Sequence, residues 1–330
     1  MKQLLEQLFE HHKMSQQEAK DILIEISQEK FSDVHLACFL TVFKMRPITV
    51  EELKGFRSAL LELCNPVDLK GIDSIDIVGT GGDSKNTFNI STLTSFVVAG
   101  AGYKVTKHGN YGVSSVSGSS NVLEHLGYKF TDDPDQLLKR LDHCGICFFH
   151  APLFHPAMKA VGPVRRAMGM KTFFNMLGPL VNPARPKRHF LGVFDLNLAR
   201  LYHYILQEEE LPFGVVYSLD GYDEISLTST FSLKTNEADL YLAPEDIGMK
   251  TVAPEELHGG NDVIEAAKIF TTILEGNGST AQNNVVLANA GAAIQRFHTD
   301  KSLPDCIQIA RESLASGKAL QCLKRAVDTK

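Results

Sequence analysis

Gly79-Thr80-Gly81-Gly82-Asp83 follows the short apolar run Ile75–Val78 directly. Glycines let the main chain approach an anion closely, and successive N–H groups in such a turn form a nest for it. A bare glycine loop is a common structural turn. This one is followed by Asn89-Ile90-Ser91-Thr92 at the expected start of a helix, where unpaired N–H groups and a partial positive charge suit phosphate. The pattern is neither a Walker A loop nor a dinucleotide fingerprint. A second loop, Lys107-His108-Gly109-Asn110, follows the apolar stretch 103–106 and continues through Tyr111-Gly112, Ser115 and Ser119. Lysine is a point-charge binder of phosphate, and His108 and Asn110 are candidate hydrogen-bond partners for a second ligand. Gly162-Pro163-Val164-Arg165-Arg166 offers guanidinium forks that match a carboxylate, although an isolated surface Arg pair is ordinarily just solvated. Gly221-Tyr222-Asp223-Glu224 places adjacent carboxylates in a turn, which suits Mg²⁺ shared with substrate phosphates. Read alone, it is an ordinary polar turn.

The elements that must hold these residues are of two kinds. Residues 1–66 read as helices only: Leu4, Leu5 and Leu8 recur at helical spacing, Ser15-x-x-Glu18 and Thr49-x-x-Glu52 are capping boxes, and Ser32 caps a helix that ends before Pro47. After Pro66 strands and helices alternate. Strands are expected at 75–78, 103–106, 146–150, 190–194 and 213–218, and helices at 92–102, 121–127, 134–142, 198–207, 261–275, 284–296 and 303–327. That alternation predicts an α/β fold, a mostly parallel central sheet flanked by helices, with a smaller all-helical domain. Both glycine loops then open at the carboxyl ends of parallel strands, where such sheets bind ligands.

The bulk numbers exclude several classes. With 330 residues, 44% of them hydrophobic and 22% charged, the chain can fill the core of two domains. A net charge of -6 with only short basic clusters, Arg165-Arg166 and 185–188, argues against nucleic acid. Six scattered cysteines fit a reducing compartment, and Cys144-Gly-Ile-Cys147 has no second pair to make a zinc ribbon, so core packing is expected. No apolar run is long enough to span a membrane, and the charged N-terminus is unlike a signal peptide. A cytoplasmic protein with no membrane partner is expected.

Together GTGGD, NIST, KHGN, SSVSGSSNVLEHLG, FFNMLGPLVNPA and GYDE, in this order and spacing, resemble the anthranilate phosphoribosyltransferase family over the whole chain. The resemblance implies a helical domain of residues 1–66 completed by helices from about 159–190, an α/β catalytic domain over 71–330, and a homodimer. The substrates it implies are anthranilate and phosphoribosyl pyrophosphate (PRPP), the cofactor Mg²⁺, and the setting tryptophan biosynthesis. Carried over residue by residue, PRPP would contact Gly79, Gly82, Asp83, Thr87, Asn89, Ile90, Ser91, Thr92, Lys107, Ser115 and Ser119. Anthranilate would contact Gly79, His108, Asn110 and Arg165, and Mg²⁺ would be held by Ser91, Asp223 and Glu224. No residue is assigned as acid or base. The chain departs from the family where Tyr111-Gly112 replaces the usual Arg, which leaves Lys85 as a candidate substitute cation, and where Asn121 replaces a frequent Asp. Two alternatives share the fold: a pyrimidine nucleoside phosphorylase-like enzyme, and a nucleic-acid-binding relative without transferase activity. Phosphorolysis of thymidine or uridine would mark the first and a gel shift with single-stranded DNA the second.

Overall fold

Three of the first four helices begin where a side chain closes the open first turn. In the computed structural model, which describes residues 1–112 and 118–329, α1 (Lys2–Phe9) is followed by α2 (Gln16–Ser27), α3 (Asp33–Met45) and α4 (Val50–Leu63). Ser15 and Glu18 form a reciprocal capping box on α2, Thr49 and Glu52 form one on α4, and Ser32 accepts from the His35 N–H on α3. α2 and α4 approach closely at Gly55, where a Cβ would collide with the Gln16 carbonyl and the Ala19 side chain. The fully buried Glu52 also accepts from Met14 N at 3.1 Å and pairs with Arg46 at 2.6 Å. Burial alone would raise its pKa, but Arg46 and the backbone donors outweigh burial and hold the carboxyl below its ordinary value.

The chain returns to this unit with α8 (Ala151–Phe154) and α9 (Ala157–Met168), and α9 packs on α2 and α3. Phe173, in a 3₁₀ turn, stacks on Phe56 at a ring-centroid distance of 4.4 Å inside a cluster with Phe39 and Phe43. His155 is buried there, and burial outweighs its backbone bonds at Val181 and Leu60, pulling the imidazole down to about 4. This compact unit comprises Met1–Val67 and Ala151–Pro183. The sequence places the returning segment at about 159–190, whereas residues 188–190 lie in a strand of the second unit.

The second unit, Asp68–His150 with Ala184–Lys330, is built on a sheet. Its strands are β1 (Ser74–Gly79), β2 (Lys104–Gly109), β3 (Ile146–His150), β4 (Arg188–Gly192), β5 (Phe213–Ser218), β6 (Phe231–Thr235) and β7 (Asp239–Leu242), in the order β3-β2-β1-β4-β5-β6-β7. The five strands from β3 to β5 pair in parallel, and β6 and β7 extend the edge antiparallel. Those last two strands are not foreseen from sequence: β6, although buried, reads Phe-Ser-Leu-Lys-Thr with polar residues between the apolar ones, and β7 is largely exposed, so neither shows an apolar run. α5 (Ile90–Gly100), buried almost throughout, lies against β1, β2 and β3. α12 (Thr280–Gln295) and α13 (Leu303–Ala315) pack on α5, α7 (Pro134–Cys144) on β3, and α10 (Leu196–Gln207) on β5. Ile77, Leu93, Phe96, Val97, Phe270 and Val286 belong to the resulting core. Cys144 and Cys147 are buried and unbridged, which answers to core packing. The expected single helix over 303–327 is instead two, α13 and α14 (Lys318–Asp328), because Gly317 takes φ +73° and ends the first.

Candidate active site

The order of strands reverses between β1 and β4: β2 and β3 follow β1 to one side, and β5 follows β4 to the other. Such a switch point leaves a crevice at the carboxyl ends of the strands. Gly79 and Gly192 face each other there as the last paired residues of β1 and β4. Both are required by what lies on them. A Cβ on Gly79 would strike Asp223 Oδ2, and one on Gly192 would strike the Asp223 carbonyl.

Asp223 reaches this position through the turn after β5. Gly221, at φ +97°, donates to the Ser218 carbonyl at 2.8 Å, and Ser218 N donates back to the Tyr222 carbonyl at 3.1 Å. Ser218 Oγ donates to the Glu224 carbonyl at 2.7 Å. The far side is clamped by the buried Asn289 of α12, which accepts from Ile225 N at 3.0 Å and donates to the Ile225 carbonyl at 2.9 Å. Asn289 is a site-building residue that the sequence reading does not assign. Its one signal is a lone amide in the stretch 285–294, which is otherwise apolar.

The acid pair is fastened to the first glycine loop and to the helix that follows it. Gly81 N donates to Asp223 Oδ2 at 2.7 Å, and Ser91 N, at the start of α5, donates to Glu224 Oε1 at 3.0 Å. Lys107, buried at the end of β2, donates from Nζ to the Ile77 carbonyl and to Ser91 Oγ, the latter at 3.3 Å. Glycine loop, helix start, lysine and acid pair therefore meet in one place. Burial raises the pKa of both carboxyls; Asp83 adds to the rise at Asp223, and Asp223 and Asp83 add to it at Glu224. Burial lowers Lys107 to about 8 against the pull of Asp76, Glu224 and Asp223. The cluster is short of positive charge: four carboxylates, those of Asp76, Asp83, Asp223 and Glu224, surround one buried ammonium. Ile90 and Thr92 are buried, so a ligand at the loop meets their main chain and not their side chains.

At the second loop, His108 is buried and its N–H donates to Asp76 Oδ1 at 3.1 Å. Asn110 is exposed, and its carbonyl accepts from Ser119 Oγ, on the first residue of α6 (Ser119–His125), at 3.2 Å. α6 thus begins two residues before the expected 121. Asn121 Oδ1 accepts from Gly112 N at 3.1 Å and Gly118 N at 3.0 Å, which brings the two ends of the loop together. Tyr111 donates its hydroxyl to Glu124 at 2.9 Å and sets its ring edge-on to His150. Ser115 lies outside the described residues.

A third segment, 257–260, supports the first loop and is absent from the sequence reading. Phe88 N donates to the Leu257 carbonyl at 3.0 Å, Gly259 N to the Asn86 carbonyl at 2.8 Å, and Thr87 forms an isolated antiparallel bridge with His258. Nothing in the types Leu257-His-Gly-Gly260 announces that role except the glycine pair. Arg165 belongs to the helical unit, on α9. Its guanidinium lies 5.3 Å from the Phe174 ring centroid and donates to Asn175 Oδ1 at 3.4 Å, while Arg166 is exposed.

Comparison with known proteins matches both parts of the chain. Residues 2–64 match the helical bundle domain of a glycosyl transferase family, and residues 71–320 match its a/b domain. An anthranilate phosphoribosyltransferase from Cytophaga hutchinsonii is 55% identical over 327 residues, 99% of this chain and 100% of that protein. The crystal structure of the anthranilate phosphoribosyltransferase from Thermus thermophilus superposes with a TM-score of 0.91 at 32% identity, covering 98% of each chain. The Saccharomyces cerevisiae enzyme in complex with PRPP and Mg superposes with a TM-score of 0.90 at 26% identity, covering 98% of this chain and 96% of that one.

Proposed function

Because the chain belongs to the anthranilate phosphoribosyltransferase family, we propose that it transfers the phosphoribosyl group of PRPP to the amine of anthranilate, releasing pyrophosphate, for tryptophan biosynthesis. One observation carries the reading to this chain's own atoms: the two anion loops and the acid pair converge at the β1–β4 switch point.

PRPP is assigned to Gly79, Gly82, Asp83, Thr87, Asn89, Ile90, Ser91, Thr92, Lys107 and Ser119, with Ser115 retained from the sequence. Anthranilate is assigned to Gly79, His108, Asn110 and Arg165, with the carboxylate on the Arg165 fork. The residues present suit a divalent metal. Asp223 is buried and Glu224 half-buried, and both carboxyls are raised by loss of water and by neighbouring negative charge, a deficit that a hard cation would relieve. Among the described residues no three His, Cys, Asp or Glu side chains form a metal site by themselves. A divalent cation would be held by Asp223, Glu224 and Ser91 and would need oxygen ligands beyond the protein. Mg²⁺, when bound, supplies charge neutralisation of the diphosphate leaving group.

The rest falls to the protein. The main chain of Gly79–Gly82 holds the diphosphate by N–H donation, and the open first turn of α5 adds its partial positive charge. Lys107 stands behind Ser91 and keeps its hydroxyl oriented. Positive charge grows on the ribose ring as the C1–O bond breaks and pyrophosphate leaves; the anthranilate amine forms the new C1–N bond and gives up one proton to the released pyrophosphate or to water. Aryl amines are weak bases, so the protein gains more from holding the amine in line than from removing its proton early.

Three further assignments go with this reading. The functional domains are the helical 1–66 with its returning helices and the α/β part 71–330. The protein is a cytoplasmic homodimer joined largely through its helical part. Phe9, Val34 and Met45 of that part are 58%, 72% and 80% exposed, apolar side chains that a second copy would cover. The deciding experiment is the fluorescence of anthranilate, which should fall when PRPP and Mg²⁺ are both added. Constant fluorescence with active PRPP would refute the assignment.

A further inference from the structure

Lys85 has no part in the contacts described so far. Its Nζ lies 4.6 Å from the ring centroid of Tyr222, its N–H donates to Asp83 Oδ1 at 3.2 Å, and it makes no ion pair among the described residues. The residues on either side are both left-handed, Ser84 at φ 63° and Asn86 at φ 46°. That conformation disfavours residues with a Cβ and persists where surroundings enforce it. The enforcement is visible. Asn86 Nδ2 lies 3.2 Å from His258 Nε2 and donates to the Gly260 carbonyl at 3.2 Å, while the Asn86 carbonyl accepts from Gly259 N at 2.8 Å. A pinned, strained turn thus carries one lysine from the first glycine loop across to the ring beside Asp223.

The two glycine loops hold two lysines. Lys107 is buried, and its charge faces Asp76, Asp223 and Glu224. Lys85 is exposed, and among the described residues an aromatic face is the one partner of its ammonium. Resting on the functional reading above, we propose that Lys85 is a binding residue for the diphosphate of the phosphoribosyl donor, parked on Tyr222 and moving to the anion when it arrives. Tyr222 is buried but Lys85 is exposed, so the lysine ammonium keeps water on the side away from the ring. A cation held so is bound more weakly than one in a charge-assisted hydrogen bond to an anion, and the diphosphate wins the ammonium. The flexible four-carbon stem lets it move without disturbing the pinned turn.

The test is calorimetric titration of pyrophosphate into the full-length protein at saturating Mg²⁺, for wild type, Lys85→Met and Lys85→Arg, with thermal melts alongside. Lys85→Met should weaken pyrophosphate roughly ten-fold, equivalent to about 1.4 kcal/mol, and flatten its dependence on salt. Lys85→Arg should stay within about three-fold, and neither variant should change the melting temperature or the KM for anthranilate. Unchanged binding in Lys85→Met would overturn the inference. So would a lowered melting temperature with both KM values raised, since Lys85 would then act only as a clamp on Tyr222. The two readings fail separately. Lys85-dependent pyrophosphate binding without consumption of anthranilate would remove the transferase reading alone. Transferase turnover with pyrophosphate binding indifferent to Lys85 would remove this one alone.

Discussion

Gly79→Ala and Gly192→Ala add the same methyl group to opposite sides of one aspartate, and the structure assigns them different consequences. At Gly192 the obstacle is the Asp223 carbonyl, with the Gly79 Cα 3.5 Å away, so main chain must move. Overpacking of that kind costs about 1–3 kcal/mol. The Ser218–Glu224 and Ile225–Asn289 hydrogen bonds hold the loop in place, which puts the cost at the upper end. At roughly 2–4 °C per kcal/mol for a unit of this size, the α/β unit should melt about 6–12 °C lower. At Gly79 the first obstacle is the Asp223 carboxylate, the movable end of a side chain. The melting temperature should then fall by no more than about 3 °C, whereas the Gly81 N–H bond to that carboxylate is lost. Both variants should need about ten times more Mg²⁺ for half-maximal turnover, as the loss of one charge-assisted contact implies. Gly178→Ala is the control, because an added methyl there meets nothing within 4 Å. Differential scanning calorimetry and a Mg²⁺ titration of turnover read the two effects apart. Equal melting temperatures for the Gly79 and Gly192 variants would refute the proposed seat of Asp223.

Arg165→Ala should raise the KM for anthranilate roughly ten- to a hundred-fold and that for PRPP much less, with Arg166→Ala near wild type; steady-state kinetics in each substrate would expose reversed subsites. Asp223→Asn combined with Glu224→Gln should abolish metal-dependent turnover while circular dichroism stays native, and full wild-type activity in excess chelator would dispose of the metal assignment. His155 has its pKa lowered from 6.5 to about 4, so the unfolded chain takes up a proton before the folded one does. Stability is whole above pH 6.5 and declines as pH falls toward 4, by about 3 kcal/mol from this group. Urea melts across that range should show a shallower decline in His155→Gln than in wild type. Sedimentation at micromolar concentration should give a dimer, and a monomer would count against the assembly.

The sequence exposes what is local and hides what is brought together. Gly79–Asp83 and Asp223-Glu224 are legible as candidates only in combination, each standing after an expected strand, since either alone reads as an ordinary turn. That Gly192 must face Gly79, with Asp223 over both, is invisible, since Gly192 ends an ordinary apolar strand and its need arises only from strand order. Asn289 and the 257–260 segment escape for the same reason: their partners lie 64 and more than 170 residues away. The antiparallel edge escapes because β7 has no buried face to imprint on its sequence. The break at Gly317 was visible as a Ser-Gly pair, but helical periodicity continues on both sides and masks it. The α/β class was readable because a parallel strand buried on all sides leaves a compact apolar run.

Asp223 and Glu224 do more than wait for a cation: they already sit on Gly81 N and Ser91 N, two donors suited to phosphate oxygens. A carboxylate tethered at a donor competes with any free anion at a high effective concentration. Inorganic phosphate or sulfate at cellular levels thus meets a rival that cannot diffuse away. If a divalent cation were held at Asp223 and Glu224, it would add positive charge beside both carboxylates while Gly81 N and Ser91 N kept them oriented. The two N–H groups thus set how free an unaccompanied anion is to settle at the loop.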